Sequence, residues 1–303
     1  MFVAQIGQRS EFATSLQGLV FSLHGQAEKD VHLLGGPFTP DQADSLAAAF
    51  PDALVVVVGS SAEGFVPEAR NILCVPQVPK ITRFSPPLVC AIVGVKGGVG
   101  KSMVSALLAL YLAQSGYHTT LCDSDVQAGL THVFLDHDER RQMGEIALLT
   151  IGKGKLVFVG NMYGRMTQAP HIIGALMGSS HVIVDYGNDP NQPIPPEARI
   201  GVVMAPSRQN LEIASSFLSG RMPHAIIVNP SQRGTGRRDI EMAINELSGR
   251  YPALSQRIVQ FPVVSVPVWD SGEEYRKKMA SEARGAARAL VSLLGLLFPS
   301  GDL

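Results

Sequence analysis

Short apolar runs and longer helix-like stretches alternate along most of the chain. From residue 88 onward, "LVCAIVGV" (88–95), "HTTLCD" (118–123), "KLVFVG" (155–160), "HVIVDY" (181–186), "IGVVMA" (200–205), "HAIIVN" (224–229) and "IVQFPVVSV" (258–266) predict strands. Helical spacing intervenes at about 100–115, 168–178, 208–219, 236–249 and 272–297. Strands rich in β-branched residues, separated by helices, predict an α/β fold: a doubly wound, mostly parallel sheet covered on both faces. Ligands of such sheets bind beyond the carboxyl ends of the strands.

The first 85 residues read as a small α/β layer of their own. "FVAQIG", "VHLLGG", "ALVVVVG" and "NILCV" predict strands, and helices are expected over 10–24 and 40–50. The second helix opens with "TPDQAD", a threonine cap followed by proline at the first helical position. Four prolines in "VPQVPKITRFSPP" (75–87) break the periodicity, which places a boundary between domains 1–85 and 86–303.

Composition narrows the class. Apolar residues make up 46% of the 303 and charged residues 17%, enough for a sizeable core. A net charge of −1 gives no global pull toward nucleic acid or anionic lipid. Cys74, Cys90 and Cys122 are far apart and form no CxxC or Cys/His cluster, so reduced thiols and a cytoplasmic location are expected. The start lacks the basic and apolar regions of a secretory signal, and no run of about 18 apolar residues predicts a spanning helix.

The candidate chemistry sits at "GVKGGVGKS" (94–102), between a predicted strand and a predicted helix. Gly97, Gly98, Val99 and Gly100 allow backbone N–H groups to turn inward around a phosphate, and the following helix N-terminus favours negative charge. Lys101 is placed to reach β- and γ-phosphates, and the Ser102 hydroxyl to ligate Mg²⁺. Val95 stands where the usual G-x-x-x-x-G-K-[ST] pattern has its first glycine, and a second lysine, Lys96, follows it.

That two-lysine loop resembles the deviant Walker A loop of the ParA/MinD family of P-loop ATPases, and the resemblance extends over roughly residues 88–290. It implies ATP and Mg²⁺ as ligands and an ATP-dependent homodimer in which Lys96 reaches the phosphates held by the other subunit. "LCDSDVQAGL" (121–130) is similar to the family's D-x-D-P-Q segment, with Val126 in place of the proline. It implies Asp123 near the Mg²⁺ shell and Asp125 as the residue that positions the attacking water. "HVIVDYGND" (181–189) resembles the Walker B strand, implying Asp185 near a Mg²⁺-bound water, although Tyr186-Gly187-Asn188 departs from the usual run. "HAIIVNP" and "VPVWDSGEE" resemble the base-lining segments, implying Asn229 on adenine and a turn marked by Pro267 and Asp270.

Other constellations are weaker. His132, Asp136, His137 and Asp138 lack the helical spacing of a metal pair and read as a solvated face. Arg233, Arg237, Arg238 and Arg250 fit either contacts to nonspecific duplex DNA or a solvated helix. The final apolar segment ends in Asp302 without flanking basic residues and is expected to pack rather than to bind membrane directly. The N-terminal layer loosely resembles the atypical receiver domain of the CpaE/TadZ pilus-assembly ATPases, without an aspartate after "ALVVVV". The expected function is an ATP-hydrolysing dimerisation switch that positions a pilus or secretion machine through a protein partner at the membrane or cell pole. Partition on DNA, or an ATP-bound scaffold without turnover, are the alternatives.

Overall fold

A computed structural model describes residues 2–6, 9–13, 31–63, 65, 67, 69, 71–75, 87–139, 146–160, 174, 177–187, 194, 198–220, 222–230, 236–264 and 270–298. Its first sheet contains β1 (Phe2–Ile6), β2 (Arg9–Ala13), β3 (Val31–Gly36), β4 (Leu54–Val58) and β5 (Ile72–Val75), in the order β2-β1-β3-β4-β5. The β3–β4 and β4–β5 pairs are parallel, whereas β1 runs antiparallel to both β2 and β3. Residues 9–13 are therefore strand, not the start of a helix over 10–24: "RSEFA" pairs back antiparallel on β1 as a hairpin, from Ile6↔Arg9 to Phe2↔Ala13. The rest of that expected helix, most of the predicted boundary at 75–87 and most of the expected helix over 168–178 lie outside the described residues.

Helix α1 (Pro40–Ala49) begins where its sequence says. Thr39 Oγ1 accepts from the Gln42 backbone at 3.3 Å, Gln42 Oε1 accepts from the Thr39 backbone at 3.1 Å, and Pro40 supplies no unsatisfied N–H. Strand alternation then divides the sheet's side chains. Val55, Val57 and Ile72 pack in a cluster with Ala43 and Ala47 of α1, while Leu54, Val56, Leu73 and Val75 join the buried cluster of the larger sheet.

The larger sheet has eight strands: β6 (Leu88–Gly94), β7 (His118–Ser124), β8 (Ile146–Ile151), β9 (Gly154–Val159), β10 (His181–Tyr186), β11 (Arg199–Met204), β12 (Ala225–Val228) and β13 (Ile258–Gln260). Their order is β13-β12-β11-β6-β10-β7-β9-β8, and every pair is parallel except β8–β9. With β7 on one side of β6 beyond β10, and β11 on the other, the chain reverses its winding direction around β6. That opens a crevice at the carboxyl end of β6.

Helices α2 (Lys101–Gln114), α3 (Gly129–Phe134), α4 (Arg208–Gly220), α5 (Arg237–Arg250), α6 (Gly272–Gly285) and α7 (Ala287–Leu297) follow the strands. Ten of the fourteen α2 residues are buried, which explains its nearly uniform apolar sequence. The single helix expected over 272–297 is two: Ala286, with φ of −88° and ψ of 4°, leaves the helical geometry, capping the end of α6 and the start of α7. α7 buries Leu290, Leu293, Leu294 and Leu297 in the main core. β13 stops short of the expected 258–266, since Pro262 has no N–H for a ladder. β8, absent from the predicted strands, pairs with β9 through a two-residue turn at Gly152, whose φ is 58°.

Gly154 shows how tightly β9 meets α2: a Cβ there would lie 2.3 Å from the Ala113 carbonyl oxygen and 2.5 Å from that of Tyr117. Gly154→Ala should therefore cost about 1–3 kcal/mol in urea denaturation. Gly249→Ala, whose Cβ would meet open space on α5, should be neutral or slightly stabilising. Equal midpoints for the two variants would contradict this packing.

Candidate nucleotide site

The loop between β6 and α2 is shaped by its glycines. Gly98 and Gly100 have φ of 76° and 88°, and Gly100 caps α2 in the left-handed region. Gly94 needs its missing side chain for another reason. A Cβ there would lie 3.1 Å from Val99 Cγ2 and 3.2 Å from both Lys101 Cδ and the Lys96 carbonyl. The close approach thus falls one residue before the position where the usual pattern has glycine. Val95 is free to extend the sheet, its N–H donating to Val203 at 3.2 Å. The motif spacing alone did not single out Gly94.

Three buried carboxylates face the Lys101 end of this loop. Asp123 and Asp185, both fully buried, are direct cross-strand partners at the ends of β7 and β10. Asp125 lies just beyond β7, and its Oδ2 is ion-paired with the Lys101 ammonium. Asp185 Oδ1 accepts from Ser105 Oγ at 3.3 Å, whereas Oδ2 is buried with no hydrogen-bond partner. Burial pushes the Asp185 carboxyl up to about 7; the Lys101 ammonium and Ser102 hydroxyl pull it down, and Asp123 and Asp125 push it up further. Asp123 is also raised by burial, against hydrogen bonds from Thr131 and Asp125 that favour its charged form.

These groups fit a Mg²⁺–nucleotide pair. An orphaned carboxylate oxygen beside a serine hydroxyl, in an over-acidic pocket next to a glycine loop and a helix N-terminus, suits a cation held partly by phosphate.

The remaining predicted residues divide clearly. Asn229 is fully buried, and its Nδ2 donates to the Val99 carbonyl at 2.8 Å, so it braces the loop from the end of β12. Its Oδ1 is buried without a partner and is the acceptor available to a donor such as an adenine amino group. Lys96 is exposed, and its ammonium donates to Gln209 Oε1 of α4 at 3.1 Å. Asp270 pairs with Lys278, while Pro267 and Trp269 lie outside the described residues. Asp136 and Glu139 cap each other's backbones, and His137 and Asp138 are exposed.

A family model described as "CobQ/CobB/MinD/ParA nucleotide binding domain" matches residues 90–294. None of the curated proteins matches significantly. Among solved structures, the septum site-determining protein MinD with Mg-ADP from Pyrococcus horikoshii is similar at 18% identity, covering 70% of this chain and 97% of its own, with a TM-score of 0.44. The pNOB8 ParA bound to nonspecific DNA is similar at 13% identity, covering 70% of this chain and all of its own, with a TM-score of 0.48. A plasmid partition protein from Borrelia burgdorferi bound to AMPPNP is similar at 15% identity, covering 66% and 98%, with a TM-score of 0.41.

A carboxyl raised by burial favours the fold while it is protonated. Asp185 therefore contributes stability at low pH that is lost as the pH rises through about 7. In Mg²⁺-free and nucleotide-free protein, Asp185→Asn should raise the melting temperature at pH 8 by on the order of 5 °C and by much less at pH 4. An equal shift at both pH values would contradict the buried carboxyl.

Proposed function

Because the chain belongs to the CobQ/CobB/MinD/ParA nucleotide-binding family, we propose that it is a Mg²⁺-dependent ATPase whose ATP-bound form is a homodimer. The observation that carries this reading is the Lys101 ammonium, held among Asp123, Asp125 and Asp185 at the mouth of a glycine loop. The loop amides and the α2 N-terminus bind the phosphates, and Lys101 exchanges its contact with Asp125 for the β- and γ-phosphate oxygens. Ser102 and Asp185, with Asp123 close by, would hold Mg²⁺, whose charge offsets that of the transferring phosphoryl group. Asp125, released from Lys101, orients a water that attacks the γ-phosphorus; the bond to the β-phosphate oxygen breaks, giving ADP and phosphate. Asn229 receives the adenine amino group, and the turn carrying Pro267 lines the base.

Lys96 is the residue that makes hydrolysis depend on dimerisation. Exposed and held by Gln209 in one chain, it is free to turn toward a nucleotide on the opposing subunit and stabilise charge there, as an arginine finger does. Its role requires no rearrangement of the core.

The use of the cycle is positional: the dimer marks a site for a pilus or secretion machine, through a protein partner. An N-terminal domain, residues 1–85, with more acidic than basic residues supports protein rather than DNA as the thing recognised. In α5, Arg237 and Arg250 pair with Glu241 and Glu246 of the same helix, which weakens the case for a DNA-binding surface. No helix among the described residues is long and apolar enough to cross a membrane. In this reading, recruitment from the cytoplasm to the membrane or cell pole runs through partners.

Turnover and binding separate this reading from its competitors. Wild-type protein should hydrolyse ATP well below the ~10 s⁻¹ typical of enzymes. Asp125→Ala should lower turnover at least about 100-fold while retaining nucleotide, and Lys96→Ala should do the same with loss of the ATP-dependent dimer. Binding without any turnover in the wild type would favour the scaffold reading, and nucleotide-dependent, salt-sensitive retention on duplex DNA would favour partition. Absence of binding at millimolar Mg²⁺ would defeat all three.

A further inference from the structure

We propose that Thr131 is a positioning residue for Asp125, acting through the Asp123 carboxylate. The proposal rests on the reading of Asp125 as the water-orienting group. Asp123 Oδ2 accepts from both the Thr131 backbone N–H, at 2.6 Å, and the Thr131 hydroxyl, at 2.7 Å. Its other oxygen, Oδ1, accepts from the Asp125 backbone N–H at 3.2 Å. One buried carboxylate thus ties the first turn of α3 to the residue that faces Lys101. Asp123 is chiefly the organiser of this segment, with its oxygens already engaged, whereas Asp185 keeps a free one.

Six residues are far too few for α3 to be stable alone, so its place is set by what grips its two ends. At the N-terminal end the grip is the Asp123 carboxylate. At the C-terminal end the buried Arg276 guanidinium donates to the Phe134 carbonyl at 2.6 Å and to both Glu139 oxygens at 2.9 and 2.6 Å. An anion at the amide end and a cation at the carbonyl end are each on the side that the helix dipole favours. Phe134 is stacked on Phe158 with ring centroids 4.7 Å apart, which fixes the helix against β9.

Space for Thr131 is reserved as well. At Gly160, just past β9, a Cβ would come within 2.8 Å of Thr131 Cγ2 and 3.0 Å of its Oγ1. Between Asp125 and α3 the chain makes its one left-handed non-glycine residue among those described, Ala128, with φ of 46°, next to the exposed Val126. Within that connector the Gln127 N–H donates to Asp125 Oδ1 at 3.1 Å and the Ala128 N–H to the Asp125 carbonyl at 2.9 Å. The Asp123–Thr131 bonds add a hold from the buried side.

The test uses the full chain with Mg-ADP, read by amide hydrogen exchange across residues 125–135, alongside steady-state ATP turnover. Thr131→Val keeps the shape and removes the hydroxyl. It is expected to speed exchange in this segment about ten-fold and to lower kcat by about 10- to 100-fold with KM within about two-fold. Thr131→Ser should restore both. Gly160→Ala should push the threonine off Asp123 and reproduce the Val phenotype; it serves as the second variant if Thr131→Val loosens the whole chain. Exchange in Thr131→Val and Gly160→Ala equal to wild type would overturn the proposal, with or without turnover. Faster exchange in both, in a wild type that hydrolyses no ATP, would uphold the hold on residue 125 and defeat the ATPase reading instead.

Discussion

One ammonium facing three buried carboxylates is the constraint around which this molecule is built. Asp123, Asp125 and Asp185 are all nearly or fully out of water, and among the described residues Lys101 is the cation positioned among them. Charges of one sign at such depth are tolerated when they are neutralised, hydrogen-bonded or compensated. Here each device is used once: Asp125 has the lysine, Asp123 has three donors, and Asp185 is held toward its protonated form. A divalent cation and a polyphosphate would relieve this imbalance together, the cation serving the carboxylates and the phosphates serving the lysine.

The sheet makes that arrangement possible. Parallel pairing in register sets Asp123 beside Asp185, and reversal of winding around β6 leaves the glycine loop open above them. α2, buried almost all round, aims its amide end at the same point, and Asn229 reaches from β12 to brace the loop at Val99. The short helix α3 carries the restraint outward, through Arg276, to the start of α6 and the segment that follows the expected base-lining turn. The aspartate cluster and the start of α6 are therefore joined by hydrogen bonds and not by the sheet alone.

Much of this was legible in the sequence where a residue's own chemistry dictates its place. Apart from β8, the strands from 88 to 228 are short apolar runs rich in β-branched residues, and their parallel sheet follows from that; the glycine loop sits at a strand end, and the three aspartates were legible through the resemblance of their segments to family motifs. Less was legible where a tertiary contact decides. β2 hid at the start of a stretch read as helix, because "RSEFA" has no alternation of its own and becomes a strand only by pairing with β1. Gly94 escaped because its role depends on Lys101 folding back over it, and Thr131 because nothing local distinguishes a threonine that reaches an aspartate eight positions earlier. Arg276 has no local signal for its contact, since its partner carbonyl at Phe134 lies 142 positions earlier.

The central claim is that Asp125 occupies the lysine that phosphate needs, so the two compete. Equilibrium titration of Mg-ATP into wild type and Asp125→Asn measures this directly. Removing the competing charge while keeping the side chain's shape should tighten binding by about ten-fold, equivalent to about 1.4 kcal/mol. Binding that is unchanged or weaker in Asp125→Asn would contradict the account, since Lys101 would then not be the cation that receives the triphosphate.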